Sequence, residues 1–393
     1  MKTDFLHPTN RGGQIRSLEM LKRLHLRHEV HFVAYESETA EGLARSSEYC
    51  SRAYPVHRPV PPANSPRFYA QALQNLFSPL PLAVGRYRSA AMRDQVAALI
   101  ARHPFDAIVC DFLSSAPNIP NIANAVLFQH NVESTIWRRH AEHASGPLRK
   151  AYFLLQARRM MRCERKYCRA AKHVAAVSDN DAAQIRDLFE TRNVTSIPTG
   201  VDLDFFRKPH PPPPPVADLA FVGSMAWLPN IDGIAYFVRD ILPIVRRRRP
   251  NCSLVIAGRA PVPEVLALAK QDPLIQVTGT VDDVRPFVWG STVSIVPLRV
   301  GGGTRLKIYE SMAAGVPVVS TPVGAEGLPI EDGQNIALAA TPEAFANRCL
   351  DLLEDANARA RLSGNALKLV TDRFSWESVT RVFERVLQTA CGT

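Results

Sequence analysis

Short apolar runs alternate with amphipathic stretches along the whole chain. In the second half the runs fall at 219–222, 253–257, 275–278, 293–296 and 316–320, with helical patterns such as 231–248 and 305–314 between them. The first half repeats the scheme, with runs at 29–35, 106–110, 125–128, 174–177 and 194–197. A run that is apolar at consecutive positions has no polar face, so both faces must be covered. Flanking helices supply that cover, and the strands are then parallel. The pattern predicts an α/β chain with two doubly wound, Rossmann-like domains facing a cleft.

Between the halves, residues 209–216 read PHPPPPPV. Consecutive prolines lack the N–H that a helix or an interior strand needs and favour an extended, semi-rigid spacer. The stretch is expected as a linker between a domain over 1–208 and one over 217–374; a proline-rich ligand for a partner domain is the other reading. The first strand, near 3–6, is short, as if the chain started late in it. At the far end, 375–387 has a Ser cap and apolar Val379, Val382, Phe383 and Val386, the pattern of a helix with one buried face.

Composition narrows the class. The 393 residues are 46% hydrophobic and 21% charged, which argues against disorder, collagen-like repeats and disulfide-rich miniproteins. No apolar run reaches the ~20 residues of a bilayer-crossing helix. The start, MKTDFLHPTNRGG, has no apolar signal core, so a cytoplasmic chain is expected. The seven cysteines form no CxxC pair and are expected as reduced, mostly buried thiols with no metal role.

The net charge of +10 sits in the first half: 29 Lys and Arg against 19 Asp and Glu over 1–210, and 18 of each over 211–393. That half is expected to meet something anionic. Within it, 149–172 holds nine basic residues and one acid, Glu164, with Arg158, Arg162, Arg165 and Arg169 at helical spacing. This reads as a helix lying on anionic lipid or as the solvated face of a core helix. No aromatic stacking pattern accompanies the charge, which argues against nucleic acid.

The stretch 297–321, PLRVGGGTRLKIYESMAAGVPVVST, carries the clearest chemistry. A strand ends, three glycines follow, and a helix opens with Arg305, Lys307 and Glu310. Glycines let backbone N–H groups approach a ligand closely, a helix N-terminus favours anions, and Arg and Lys add charged donors for phosphate oxygens. A pyrophosphate is the natural guest, and Glu310 can accept hydrogen bonds from a ribose diol. A second glycine loop, Gly12–Gly13, precedes a helix after the first strand; it is a plain turn or a cover over the same phosphates. His130 follows a parallel strand at its carboxyl end, where polar residues point into the ligand crevice. Asp111 ends the preceding strand, in a structural or a functional role. The turn IPTGVD at 197–202 reads as a hinge in which Asp202 caps local amides.

These segments together are recognisable. HPTNRGGQIRSLEML, FQHNVES, AVSDNDA, IPTGVD, FVGSMAWLPNIDG, LVIAGR and GGGTRLKIYESMAAGVPVVS resemble the retaining glycosyltransferases of family four, nearly end to end. The resemblance implies the GT-B architecture, with the carboxyl-terminal helix (375–393) crossing back onto the first domain. It implies that Gly12 and Gly13 form the phosphate-side glycine loop and that His130 touches the donor sugar. It implies that Arg305 and Lys307 hold the diphosphate, that Glu310 binds ribose, and that Val281 lies beside the base. Gly302 stands where many relatives carry a first glutamate, so the amides of Gly302, Gly303 and Thr304 would contact the sugar. The loop after Val222, which opens at the donor-binding candidate Gly223, lacks a basic residue that many relatives use; Asn230 is a further candidate for orienting the donor.

The expectation is a cytoplasmic, metal-independent transferase, possessing no cofactor beyond its donor substrate, a UDP- or GDP-sugar. It would transfer the sugar to a hydroxyl, with retention, on a sugar or lipid-linked acceptor in envelope or exopolysaccharide synthesis, at the inner face of the membrane. Two rivals share the architecture: a nucleotide-sugar epimerase, which needs no acceptor, and a non-catalytic membrane-associated partner protein.

Overall fold

A computed structural model of the chain describes residues 1–9, 12–36, 40–57, 61, 65–142, 146–225, 227–300 and 306–392. It divides into two units: Met1–Pro198 with Val379–Thr393, and Thr199–Ser378.

In the first unit, β1 (His31–Tyr35) pairs in parallel with β2 (Arg52–Val56), and β3 (Ile108–Asp111), β4 (Ala125–Phe128), β5 (His173–Ala176) and β6 (Val194–Ser196) form a parallel sheet in that order. Residues 1–4 run between β1 and β3. Lys2 N donates to Val33 O on one side, and Met1 N donates to Val109 O and Asp111 N to Met1 O on the other. The expected strand at 3–6 is reduced to a single bridge, Asp4 to Tyr35, yet these bonds link the two sheets into one doubly wound layer. Pro55 concealed β2 in the sequence; an edge strand tolerates proline because one side of it needs no N–H.

The second unit is one parallel sheet of β7 (Ala217–Val222), β8 (Leu254–Ala257), β9 (Ile275–Val277), β10 (Ser291–Val296), β11 (Val318–Ser320) and β12 (Ala337–Leu338), ordered β12-β11-β10-β7-β8-β9. Leu219, Phe221, Leu254, Ile256, Val293 and Ile295 are fully or almost fully buried, as strands covered on both faces require. The helix expected over 231–248 is interrupted. Leu228–Tyr236 passes through a wide turn at Phe237–Ile241 into Leu242–Arg248. Pro243 has no N–H to give and its ring crowds the preceding turn. The proline run lies inside this unit, where Val216 N donates to Gly290 O.

The last helix, Trp376–Cys391, begins in the second unit, and its body belongs to the first. Val379, Phe383 and Val386 are buried there, with Phe383 stacked on Phe128 at 5.3 Å between centroids. Arg27 and His28 bind Glu384 on its polar face. The six described cysteines are buried free thiols. Among the described residues no helix is long and apolar enough to cross a membrane.

Candidate functional site

Both sheets reverse their winding once, and in each the chemistry-bearing residues gather at the carboxyl ends of the strands beside that reversal, where open α/β sheets bind ligands.

In the first unit the reversal lies between residues 1–4 and β3. Asp111 ends β3 almost fully buried. Its Oδ1 accepts from His130 Nε2 at 2.6 Å, and its Oδ2 accepts from Lys2 Nζ at 2.6 Å and Ser17 Oγ at 2.6 Å. Burial opposes charge on Asp111, but Lys2 and then His130 outweigh it and hold the carboxyl well below the usual range. Asp111 is therefore ionised and accepts only. His130 must donate through Nε2, which leaves Nδ1 as a lone-pair acceptor. Burial lowers His130 to about 4, opposed by Asp111 and assisted by Lys2 and Arg16, so the ring is neutral at pH 7.

The ring of His130 is fixed in place. Phe112 stacks on it at 3.8 Å and 4°, and Lys2 Nζ lies 4.1 Å from the Phe112 ring centre. Phe112 takes a left-handed φ of 73° to do so, a conformation that costs a bulky residue roughly 1–3 kcal/mol. Gly13 closes the stack: a Cβ there would fall 2.6 Å from the Phe112 ring and 3.4 Å from His130 Nδ1. Gly13 is thus needed by the Phe112 ring, a reason the glycine loop did not disclose. Gly12 opens the helix Gly12–His25.

The segment carrying His130 is held from below. Glu164, fully buried in the helix Pro147–Ala170, accepts from Glu133 N at 2.7 Å and Ser134 N at 2.9 Å, the first amides of the helix Glu133–Glu142, and from Gln129 Nε2 at 3.3 Å. Burial raises it to about 7 against the Ser134 and Glu133 donors. The single acid of the basic stretch is thus a cap for the turn after His130. Arg16 stands out beside this network. It is 4% exposed, its Nη1 is buried without a hydrogen bond, and its guanidinium carbon is 6.0 Å from the Phe128 ring centre. Burial lowers it to about 10, with Asp111 and Asp181 opposing.

In the second unit the reversal lies between β7 and β10. Lys307, near the start of the helix Leu306–Ala313, donates to Asn230 Oδ1 at 2.8 Å and lies over Phe221 at 4.4 Å. Asn230 is buried and donates to Ser224 O at 2.8 Å. Gly223 makes room: a Cβ there would lie 2.7 Å from Asn230 Nδ2 and 2.8 Å from Lys307 Nζ. Glu310, one turn on, is half-buried, and its carboxylate makes no hydrogen bond among the described residues; burial raises it to about 7, with Lys307 opposing. Val281 is half-buried just after β9, at the same sheet edge. Gly302, Gly303, Thr304 and Arg305 lie outside the described residues.

Three charged features resolve locally. Asp202 accepts from Phe205 N at 2.9 Å, a local cap. Asp283 accepts from Arg285 N at 2.9 Å at the start of the helix Arg285–Trp289. Of the basic face on Pro147–Ala170, Arg165 and Arg169 bind the last carbonyls of the helix Asp179–Phe189 at Leu188 and Phe189. The sequence reading passed over Lys2, Ser17, Phe112 and Arg16. Their signal was weak because each acquires meaning only from a partner distant in the chain.

Family comparison fits this geometry. The profile described as Glycosyltransferase Family 4 matches residues 11–205, and that described as Glycosyl transferases group 1 matches 217–355. The chain belongs to the glycosyltransferases that these two profiles describe. Among solved structures, this chain superposes on Anabaena HepE in complex with UDP (TM-score 0.66, 13% identity, 99% of this chain and 98% of that one). It also superposes on sucrose-phosphate synthase from Thermosynechococcus elongatus (0.66, 15%, 99% and 97%). An uncharacterized 44.6 kDa protein in the cps region of Klebsiella pneumoniae is 22% identical over 169 residues, 41% of this chain. The chain spans only 44% of that relative's length.

Proposed function

We propose that this transferase moves a sugar from a nucleoside-diphosphate sugar to a hydroxyl acceptor with retention, without a metal, in the assembly of an envelope or capsular polysaccharide. The observation that carries the reading is the pair at the head of the Leu306–Ala313 helix: Lys307 fixed by Asn230 and, one turn on, a Glu310 carboxylate with no hydrogen bond among the described residues. A fixed cation suits a diphosphate and an idle carboxylate suits a ribose diol. The HepE structures with UDP and UDP-glucose make a UDP-sugar the first donor to try, ahead of GDP-sugars. The cps-region relative suggests the pathway.

In this reading the bond between the sugar C1 and the β-phosphate oxygen breaks, and the acceptor oxygen bonds to C1 from the same face. The acceptor proton passes to the departing phosphate. Charge grows on the leaving diphosphate, so Lys307, Arg305 and the amides of Gly302, Gly303 and Thr304 stabilise the transition state more than the ground state. His130, neutral, offers Nδ1 to a sugar hydroxyl and orients the donor, with Gly12 and Gly13 beside it. Arg16 offers a guanidinium to an anionic substrate group. Gly223 and Val281 border the nucleotide.

Incubation with UDP-, GDP- and ADP-sugars plus a lipid-linked or free sugar acceptor tests this. The expected result is acceptor-dependent product with the donor's anomeric configuration, read by NMR. Conversion of donor without any acceptor would identify an isomerase and overturn the reading.

A further inference from the structure

The helix Pro66–Asn75 carries its apolar stripe on the solvent side. Tyr69 and Leu73, one turn apart, are 59% and 65% exposed, and Phe77 just beyond the helix is 90% exposed. Leu148, in the first turn of Pro147–Ala170, is 87% exposed. Single exposed apolar residues are ordinary, but an outward-facing stripe with two bare tips marks a docking surface.

The two elements form one platform. Arg159 donates to Asn75 O and Leu76 O, each at 2.7 Å, and Gln156 Nε2 donates to Asn75 Oδ1 at 3.1 Å. Asn75 and Gln156 are buried. Tyr69, Leu73 and Phe77 therefore stand on backbone that is tied to the second helix.

Charge identifies the occupant. Segments 65–93 and 143–163 contain no Asp or Glu, while they hold four and five Lys or Arg residues respectively. Arg149, Lys150, Arg158 and Arg162 are all exposed; none of their side chains donates a hydrogen bond to another described residue, and Arg149 lies over the Phe153 ring at 5.6 Å from its centre. Only part of the face that charge spacing suggested contributes: Arg165 and Arg169 are committed to a neighbouring helix, while Arg158 and Arg162, with Arg149 and Lys150, remain at the surface near the apolar residues. A bilayer with anionic headgroups offers both partners at once, phosphate at the surface and hydrocarbon a few ångströms below.

We propose that Pro66–Asn75, the turn to Phe77 and the first half of Pro147–Ala170 form a monotopic docking face for an anionic phospholipid bilayer, with Leu73, Phe77 and Leu148 inserting and Arg149, Lys150, Arg158 and Arg162 meeting headgroups. The proposal goes beyond sugar transfer and stands without it.

The test is co-sedimentation of the full chain with phosphatidylcholine vesicles, with and without phosphatidylglycerol, at low and high salt. Binding is expected only with the anionic lipid and is weakened by salt. The double variants Leu73→Asp/Phe77→Asp and Arg149→Glu/Lys150→Glu should each lower partitioning by roughly tenfold or more, with unchanged circular dichroism and unchanged UDP-sugar binding. Failure of the wild-type chain to sediment with anionic vesicles overturns the proposal. So does wild-type partitioning by Leu73→Asp/Phe77→Asp, which would leave a charge contact alone. A concentration-dependent dimer abolished by Phe77→Asp, without vesicle binding, would assign the face to a second copy instead.

Discussion

Asp111 Oδ1 accepts from His130 Nε2 at 2.6 Å, while its second oxygen is held by Lys2 and Ser17. The carboxylate thereby chooses the imidazole tautomer and aims Nδ1 toward the Gly13 end of the first helix. Asp111→Asn keeps the shape but can turn its amide N–H toward Nε2, moving the ring proton to Nδ1. Turnover should fall by about 100-fold or more while KM for donor changes little, the size expected when a catalytic hydrogen bond is inverted. 15N chemical shifts of the His130 ring should report the switched tautomer. An unchanged tautomer and rate would make Asp111 a structural residue only.

The same pair predicts acid sensitivity. His130 lies at about 4 in the folded chain, against an ordinary value of 6.5. Between these values the unfolded chain binds the extra proton and the folded chain does not. Stability is therefore fully present above about pH 6.5 and is lost as pH falls toward 4, by up to about 3 kcal/mol. Asp111, held low, stays ionised across that window. Urea midpoints measured at pH 7 and near pH 4.5 should differ markedly in wild type and less in His130→Gln, whose side chain does not titrate.

Much of the fold is legible in the chain because parallel strands buried on both faces announce themselves: the run at 125–128 is β4 residue for residue. Losses follow local exceptions. Pro55 masks an edge strand, and Pro243 splits a helix whose apolar period runs straight through it. The candidate site divides differently. Lys307, Glu310 and His130 are visible because their meaning is local: a helix mouth, a turn's spacing, a strand's end. Lys2 and Asp111 are 109 residues apart, and Lys307 and Asn230 are 77 apart. No periodicity connects such pairs, so their coupling appears only when the sheet order brings the strand ends together. Glu164 shows the converse error, since a sequence-neighbour view places it in a basic stretch while the fold turns it inward as a cap.

Glu310 predicts how donor binding depends on pH. Burial raises its carboxyl to about 7, with Lys307 opposing. Ribose hydroxyls donate to the ionised form, so binding selects it and protonation opposes binding. Affinity for a UDP-sugar should fall as pH drops below about 7, approaching tenfold per unit when one proton is coupled. A UDP-sugar is the right ligand because, unlike UDP, it has no terminal phosphate that titrates in this range. Calorimetry across that range should show the dependence in wild type and a flat, weaker affinity in Glu310→Gln.

Lys307 and Asn230 make a positional prediction. Asn230→Ala removes the acceptor that fixes Lys307 Nζ at 2.8 Å and the donor to Ser224 O. Lys307→Ala should lower turnover by about 100-fold or more through lost charge stabilisation of the leaving diphosphate. Asn230→Ala should lower it by less, about tenfold, because the cation remains but is no longer preplaced. Equal losses would mean that Asn230 itself touches the ligand.

Arg16 yields a prediction of opposite sign for stability and activity. A buried guanidinium whose Nη1 makes no hydrogen bond carries a desolvation cost that Asp111 and Asp181 offset only in part in the ligand-free chain. Arg16→Met keeps much of the length and removes the charge, so it should raise the ligand-free stability of the first unit by about 1–3 kcal/mol, read as a higher urea midpoint. If the cation serves an anionic substrate group, the same variant should lose turnover, and the stabilisation that substrate gives the wild type should vanish from it. A destabilised but active Arg16→Met would assign the residue to the electrostatic support of Asp111 and Asp181, and would remove it from the substrate's path.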